Sequence, residues 1–126
     1  MRLDHVLIRA RDLEAMRAFF TDAIGLEVGH RPAFSFAGYW LYARGLPVIH
    51  LRDAGADEPP GGASPAWPFD HVAFAGDDYR ALIARLEANA VVYREQELPG
   101  GEIHQVFATG PEGVRVEIQF PAAAAV

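Results

Sequence analysis

The chain has 126 residues, enough for one compact domain or for two very small units that share a core. It contains no cysteine, which excludes a disulfide framework, an iron–sulfur cluster, a thiolate zinc site and a cysteine nucleophile. A net charge of −6, with no lysine and no basic cluster, gives nucleic acid or an anionic membrane little to hold, and no apolar run approaches the roughly 20 residues of a membrane span.

Leu3–Arg9 reads as a strand. It lies almost at the N-terminus, so a cytoplasmic protein without a cleavable leader is expected. Asp12 is placed to cap a helix, Glu14 adds negative charge to its first turn, and Leu13, Met16, Phe20 and Ile24 recur at helical spacing. Gly25 stands where a left-handed helix stop belongs. Leu26–Phe36, Tyr39–Ala43 and Leu46–Arg52 read as strands, broken at Ala37-Gly38 and Arg44-Gly45. This first unit, residues 1–53, is βαβββ. Residues 54–68 are rich in Gly, Pro and Ala and form a connector.

The second unit, residues 69–126, repeats the first. Phe69–Ala75 is a strand, Asp77 or Asp78 caps a helix bearing Leu82, Ile83 and Leu86, and Asn89 offers a left-handed stop. Val91–Leu98, Glu102–Ala108 and Val114–Phe120 are strands. Asp4-His5-Val6 recurs as Asp70-His71-Val72, an offset of 66, and VIHLRD matches RVEIQF at an offset of 67. Two copies of one supersecondary unit explain this, each too small to bury its sheet alone.

Side chains on a strand alternate faces. Val6, Ile8, Ile49, Leu51, Val72, Phe74, Val116 and Ile118 should face the helices. The opposite faces then carry His5, His50, His71 and Glu117. If the sheets curl to face one another, these four converge. Imidazoles and one carboxylate without thiolate suit Zn, Fe(II), Ni, Co or Mn, and a two-His, one-carboxylate set leaves coordination positions open for substrate. His50 is also readable as a hydrogen-bond donor to one of the ligands or as a substrate contact.

At these residues the sequence resembles the vicinal oxygen chelate superfamily, which includes glyoxalase I, methylmalonyl-CoA epimerase, extradiol dioxygenases, fosfomycin-resistance transferases and bleomycin-binding proteins. The resemblance rests on LDHVLIRARDLEAMRAFFTDAIGLEV, VIHL, FDHVAFAGDD and TGPEGVRVEIQF. It implies an α+β fold: two tandem βαβββ units forming a curved mixed sheet, a half-barrel cup, with helices outside. It implies His5, His71 and Glu117 as metal ligands and His50 at the fourth position, with Glu117 and His50 catalytic. At that fourth position glyoxalase I carries Glu and the epimerase Gln. Leu7 stands where the fosfomycin transferases have a hydroxyl residue, and Gly-Pro-Glu-Gly replaces the usual Asp-Pro-x-Gly.

The expected function is a divalent-metal-dependent enzyme, a lyase or isomerase of glyoxalase type, acting on a small substrate that chelates through neighbouring oxygens. The alternatives are a ring-cleaving extradiol dioxygenase and a bleomycin-resistance-type binding protein. His104, Arg115, Tyr39, Trp40 and Tyr42 are candidates to line the substrate pocket, and Gln119 should share the face of Glu117 and Arg115. His30 reads as a loop residue and Arg52 as a rim charge. Asp4 and Asp70 point by parity toward the helices and read as structural. Exposed sheet edges make a homodimer the expected assembly.

Overall fold

The computed structural model describes residues 2–55 and 71–126. They form two compact units, one on each side of the connector. The connector, apart from Ala54 and Gly55, lies outside the described residues, and so does the expected strand start at Phe69-Asp70 with the structural role given to Asp70.

The first unit orders its strands β1-β4-β3-β2. They are β1 (Val6–Ala10), β2 (Glu27–Gly29), β3 (Gly38–Ala43) and β4 (Leu46–Asp53). β1 runs parallel to β4, and the other pairs are antiparallel. The turn between β3 and β4 is Arg44-Gly45, both with positive φ (48° and 76°). That conformation matches the twist of the flanking strands.

Asp12 accepts a hydrogen bond from the Ala15 backbone N–H at 2.9 Å and caps α1 (Leu13–Ala18). The expected helix continues to Ile24, but Phe19–Ile24 widens into a π-helical turn. There the Gly25 N–H reaches back five residues to the Phe20 carbonyl at 3.0 Å. Gly25 then ends the helix at φ 97°. The wide turn puts Phe19, Phe20, Ala23 and Ile24 into the core beside Met16, Leu41, Ile49 and Leu51.

The expected strand Leu26–Phe36 is a correction: only Glu27–Gly29 pairs with β3. Pro32 has no N–H to give a ladder. Instead Arg31 donates to the Phe36 carbonyl at 2.9 Å and holds residues 30–37 as an irregular segment.

The second unit repeats the order as β5-β8-β7-β6. Its strands are β5 (Val72–Ala75), β6 (Val92–Glu97), β7 (Ile103–Thr109) and β8 (Arg115–Pro121). Asp78 rather than Asp77 caps α2 (Tyr79–Ala88), accepting from the Ala81 N–H at 3.0 Å. The left-handed stop falls on Ala90 (φ 52°), whereas Asn89 keeps φ −101° and donates its side-chain amide to the Arg85 carbonyl at 2.8 Å. Leu82 and Leu86 of α2 are buried, as are Val106, Val116, Ile118 and Phe120 of β7 and β8.

The repeat holds at the level of register. Leu7 pairs with His50 in the parallel ladder of the first unit, and Ala73 pairs with Glu117 in that of the second. The chain is therefore α+β, with two four-stranded mixed sheets, neither of them closed.

Candidate functional site

In the first unit β4 is an inner strand, so alternation gives its two faces opposite environments. Ile49 and Leu51 are buried under the helix side. His50 points the other way and forms the middle of a three-ring stack. The His5 ring lies 3.9 Å from it at an interplanar angle of 10°, and the Trp40 indole lies 4.0 Å from it at 9°. Trp40 reaches this place because it is the ladder partner of His50.

Two hydrogen bonds fix the ring tautomers. The Asp4 carboxylate accepts from His5 Nδ1 at 2.8 Å, which leaves the lone pair on Nε2. The Pro47 carbonyl accepts from His50 Nε2 at 3.1 Å, which leaves the lone pair on Nδ1. Burial, and then the neighbouring His5, lower the pKa of His50 from its ordinary value of 6.5. The shift favours the neutral ring, the state a metal ligand or a base requires.

In the second unit the corresponding place on β8 is Glu117, which is only 6% exposed. Its Oε2 lies 2.8 Å from His71 Nε2, and its Oε1 accepts from the Gln105 side chain at 2.6 Å. Gln105 is itself buried (7% exposed) and accepts in turn from Gln96 at 2.8 Å, while Gln96 accepts from Arg94 at 2.7 Å. Phe107 is the ladder partner of Glu117 and sets its ring edge-on to His71, with centroids 5.6 Å apart. A buried carboxylate is costly unless it is paired and hydrogen-bonded, and here each oxygen has a partner.

The four expected ligands thus stand as two pairs, His5 with His50 and His71 with Glu117, one pair in each unit. Among the described residues no three His, Asp or Glu side chains group as a metal-holding set. The donor types, imidazole nitrogen and carboxylate oxygen without thiolate, are those a divalent transition metal takes.

Of the other candidates, Trp40 belongs to the His50 face. Arg115 pairs with Thr109 and shares the Glu117 face, at its exposed margin. Tyr39 and His104 are corrections. Tyr39 pairs with Leu51 and turns to the helix, where its hydroxyl donates to Glu14. His104 pairs with Phe120, meets Tyr79 of α2 edge-on at 5.5 Å and contacts Glu95 at 3.0 Å, across the sheet from Glu117. The face each side chain takes is set by strand register, which the local sequence pattern does not carry. Asp4 is a third correction: it holds His5 rather than a helix. Its carboxyl pKa is lowered, first by that hydrogen bond. Gln105 was not anticipated. Only the ladder that sets it one step from Glu117's row reveals its role.

Residues 2–118 match the family model described as the Glyoxalase/Bleomycin resistance protein/Dioxygenase superfamily. A "Probable lactoylglutathione lyase" of Vibrio parahaemolyticus is 26% identical, over 93% of this chain and 88% of that protein. The "Glyoxalase I" of Saccharomyces cerevisiae is 23% identical over 92% of this chain, and the chain spans only 44% of its length. Among solved structures, a lactoylglutathione lyase from Agrobacterium tumefaciens superposes with a TM-score of 0.68 at 20% identity, covering 99% of this chain and 97% of that one. The paired βαβββ units and the extent of the family match together establish that this chain belongs to the glyoxalase/bleomycin resistance/dioxygenase superfamily.

Proposed function

We propose that the protein is a metal-dependent lyase or isomerase whose small substrate binds through two neighbouring oxygens. The observation that carries this reading is the buried Glu117 carboxylate, oriented at one oxygen by Gln105 and facing His71 with the other. The names of the Vibrio and yeast relatives support a lyase. His5, His50, His71 and Glu117 would hold the ion. When bound, a divalent ion supplies Lewis acidity that stabilises negative charge developing on a substrate oxygen.

The chain's own residues supply the rest. Asp4 fixes the His5 ring so that Nε2 faces outward. His50 stays neutral between two rings. Glu117 is the carboxylate that takes a proton from carbon next to a substrate carbonyl, and the Gln105 side chain fixes its orientation through Oε1. Trp40 offers a flat apolar surface beside the histidines. A homodimer is the proposed assembly.

Elemental analysis of protein purified without added metal, together with a lactoylglutathione turnover assay, tests the proposal. Stoichiometric transition metal is expected in the wild type, with loss in both His5→Ala and Glu117→Ala. Metal retained by both variants contradicts the ligand assignment. A wild type with no metal and no affinity for added metal supports a binding protein instead.

A further inference from the structure

The irregular segment 30–37 brings a second kind of chemistry to the His50 face. Arg52 lies two residues beyond His50 on β4, on the same face and about 7 Å along the strand. Its guanidinium lies 4.3 Å from the centre of the Phe36 ring. The Arg31 guanidinium lies 5.1 Å from the same ring and 4.9 Å from Phe34.

Gly38 lies beside both residues. It is the ladder partner of Arg52, and a Cβ there would come within 3.0 Å of Arg31 Nη2. Among the described residues neither guanidinium has a carboxylate partner. Arg31 spends one N–H on the Phe36 carbonyl and Arg52 has only its ring contact. Among the described residues, these two like charges beside one phenyl ring therefore have no carboxylate against them. From this pair an aromatic row runs back to the histidines: Phe36 stacks on Phe34 at 5.1 Å, Phe34 meets Trp40 at 6.3 Å, and Trp40 stacks on His50. Phe34 is 45% exposed, and Phe36 and Trp40 are half-buried.

We propose that Arg31 and Arg52, set around Phe36, form an oxyanion subsite that holds the carboxylate or phosphate end of a flat, apolar ligand lying along Phe34 and Trp40. Paired guanidinium forks match planar oxyanions, and the aromatic row supplies the surface for the ligand body. The subsite is defined by its own residues. That the other end of the same ligand reaches the histidines rests on the proposed metal function.

Benzoate, phenyl phosphate and the uncharged benzamide are the probes, titrated while the Trp40 indole N–H and Arg52 Nε–H resonances are followed. Saturable shifts with benzoate or phenyl phosphate, at least tenfold tighter than any with benzamide, are expected. Arg31→Gln/Arg52→Gln should weaken this binding at least tenfold and leave metal content unchanged. Glu117→Ala should lose metal and keep the oxyanion binding, so the two proposals fail separately. Equal affinity for benzoate and benzamide, or wild-type affinity in a folded double variant, overturns the subsite. If the double variant does not fold, the wild-type comparison of charged and uncharged probes decides.

Discussion

Glu14 stands on the first turn of α1 and receives hydrogen bonds from the Tyr39 hydroxyl of β3 and from Arg17 Nε, the latter at 2.9 Å. Tyr39 first, then Arg17, lowers its pKa from the ordinary 4.5. A carboxylate with a depressed folded pKa adds stability that is complete above the unfolded value and fades as pH falls through the folded one. Glu14→Gln should therefore lower stability at pH 7, and the difference from wild type should close below pH 4.5; urea unfolding at a series of pH values reads it. The same residues show what a sequence can tell at this scale. Alternation alone separates His50 and Glu117 from the core side of their strands, because that pattern needs no partner strand. Tyr39 and His104 escape it, since deciding whether a lone aromatic or histidine on a strand faces a helix requires the register with its neighbours. Asp4 escapes it for another reason: it precedes the first ladder pair at Val6, so strand parity does not govern it.

At the scale of elements, caps and turns were the readable features. Asp12, Asp78, Gly25 and Arg44-Gly45 act through local chemistry and sit where expected. The π-helical turn at Phe19–Ile24 was not readable, because an apolar face at helical spacing suits either winding. The stop of α2 also moved by one residue, onto Ala90 at φ 52°. Alanine is strained there by about 1 kcal/mol, and its exposed side chain packs on nothing that would be lost. Ala90→Gly should thus stabilise the protein by up to ~1 kcal/mol, observed as a higher denaturant midpoint with an unchanged slope. Gly76 gives the opposite case. A Cβ there would come within 2.3 Å of the buried Phe120 ring, so Gly76→Ala should cost about 1–3 kcal/mol in the same measurement.

At the scale of the whole molecule, the duplicated unit was legible because its chemistry-bearing residues recur at a nearly constant offset. The donors divide two and two between the halves, His5 and His50 in one and His71 and Glu117 in the other. Under the proposed function a metal binds only the folded form, so it stabilises the whole chain by about 2.7 kcal/mol at a concentration a hundred times its Kd. A chelator should lower the thermal midpoint of the native protein, and added metal should restore it. His50→Ala in one half and Glu117→Ala in the other should each abolish that response.

The parallel pairing of β1 with β4 sets an order of assembly. Val6 meets Ile49 only after more than forty intervening residues have been arranged, whereas β3 and β4 need no more than the two-residue turn at Arg44-Gly45. Closing the long loop carries the larger entropic cost, so the hairpin is free to form before β1 docks on β4. His5 rides at the leading end of that strand. The stack of His5 on His50 is therefore completed only when β1 pairs with β4.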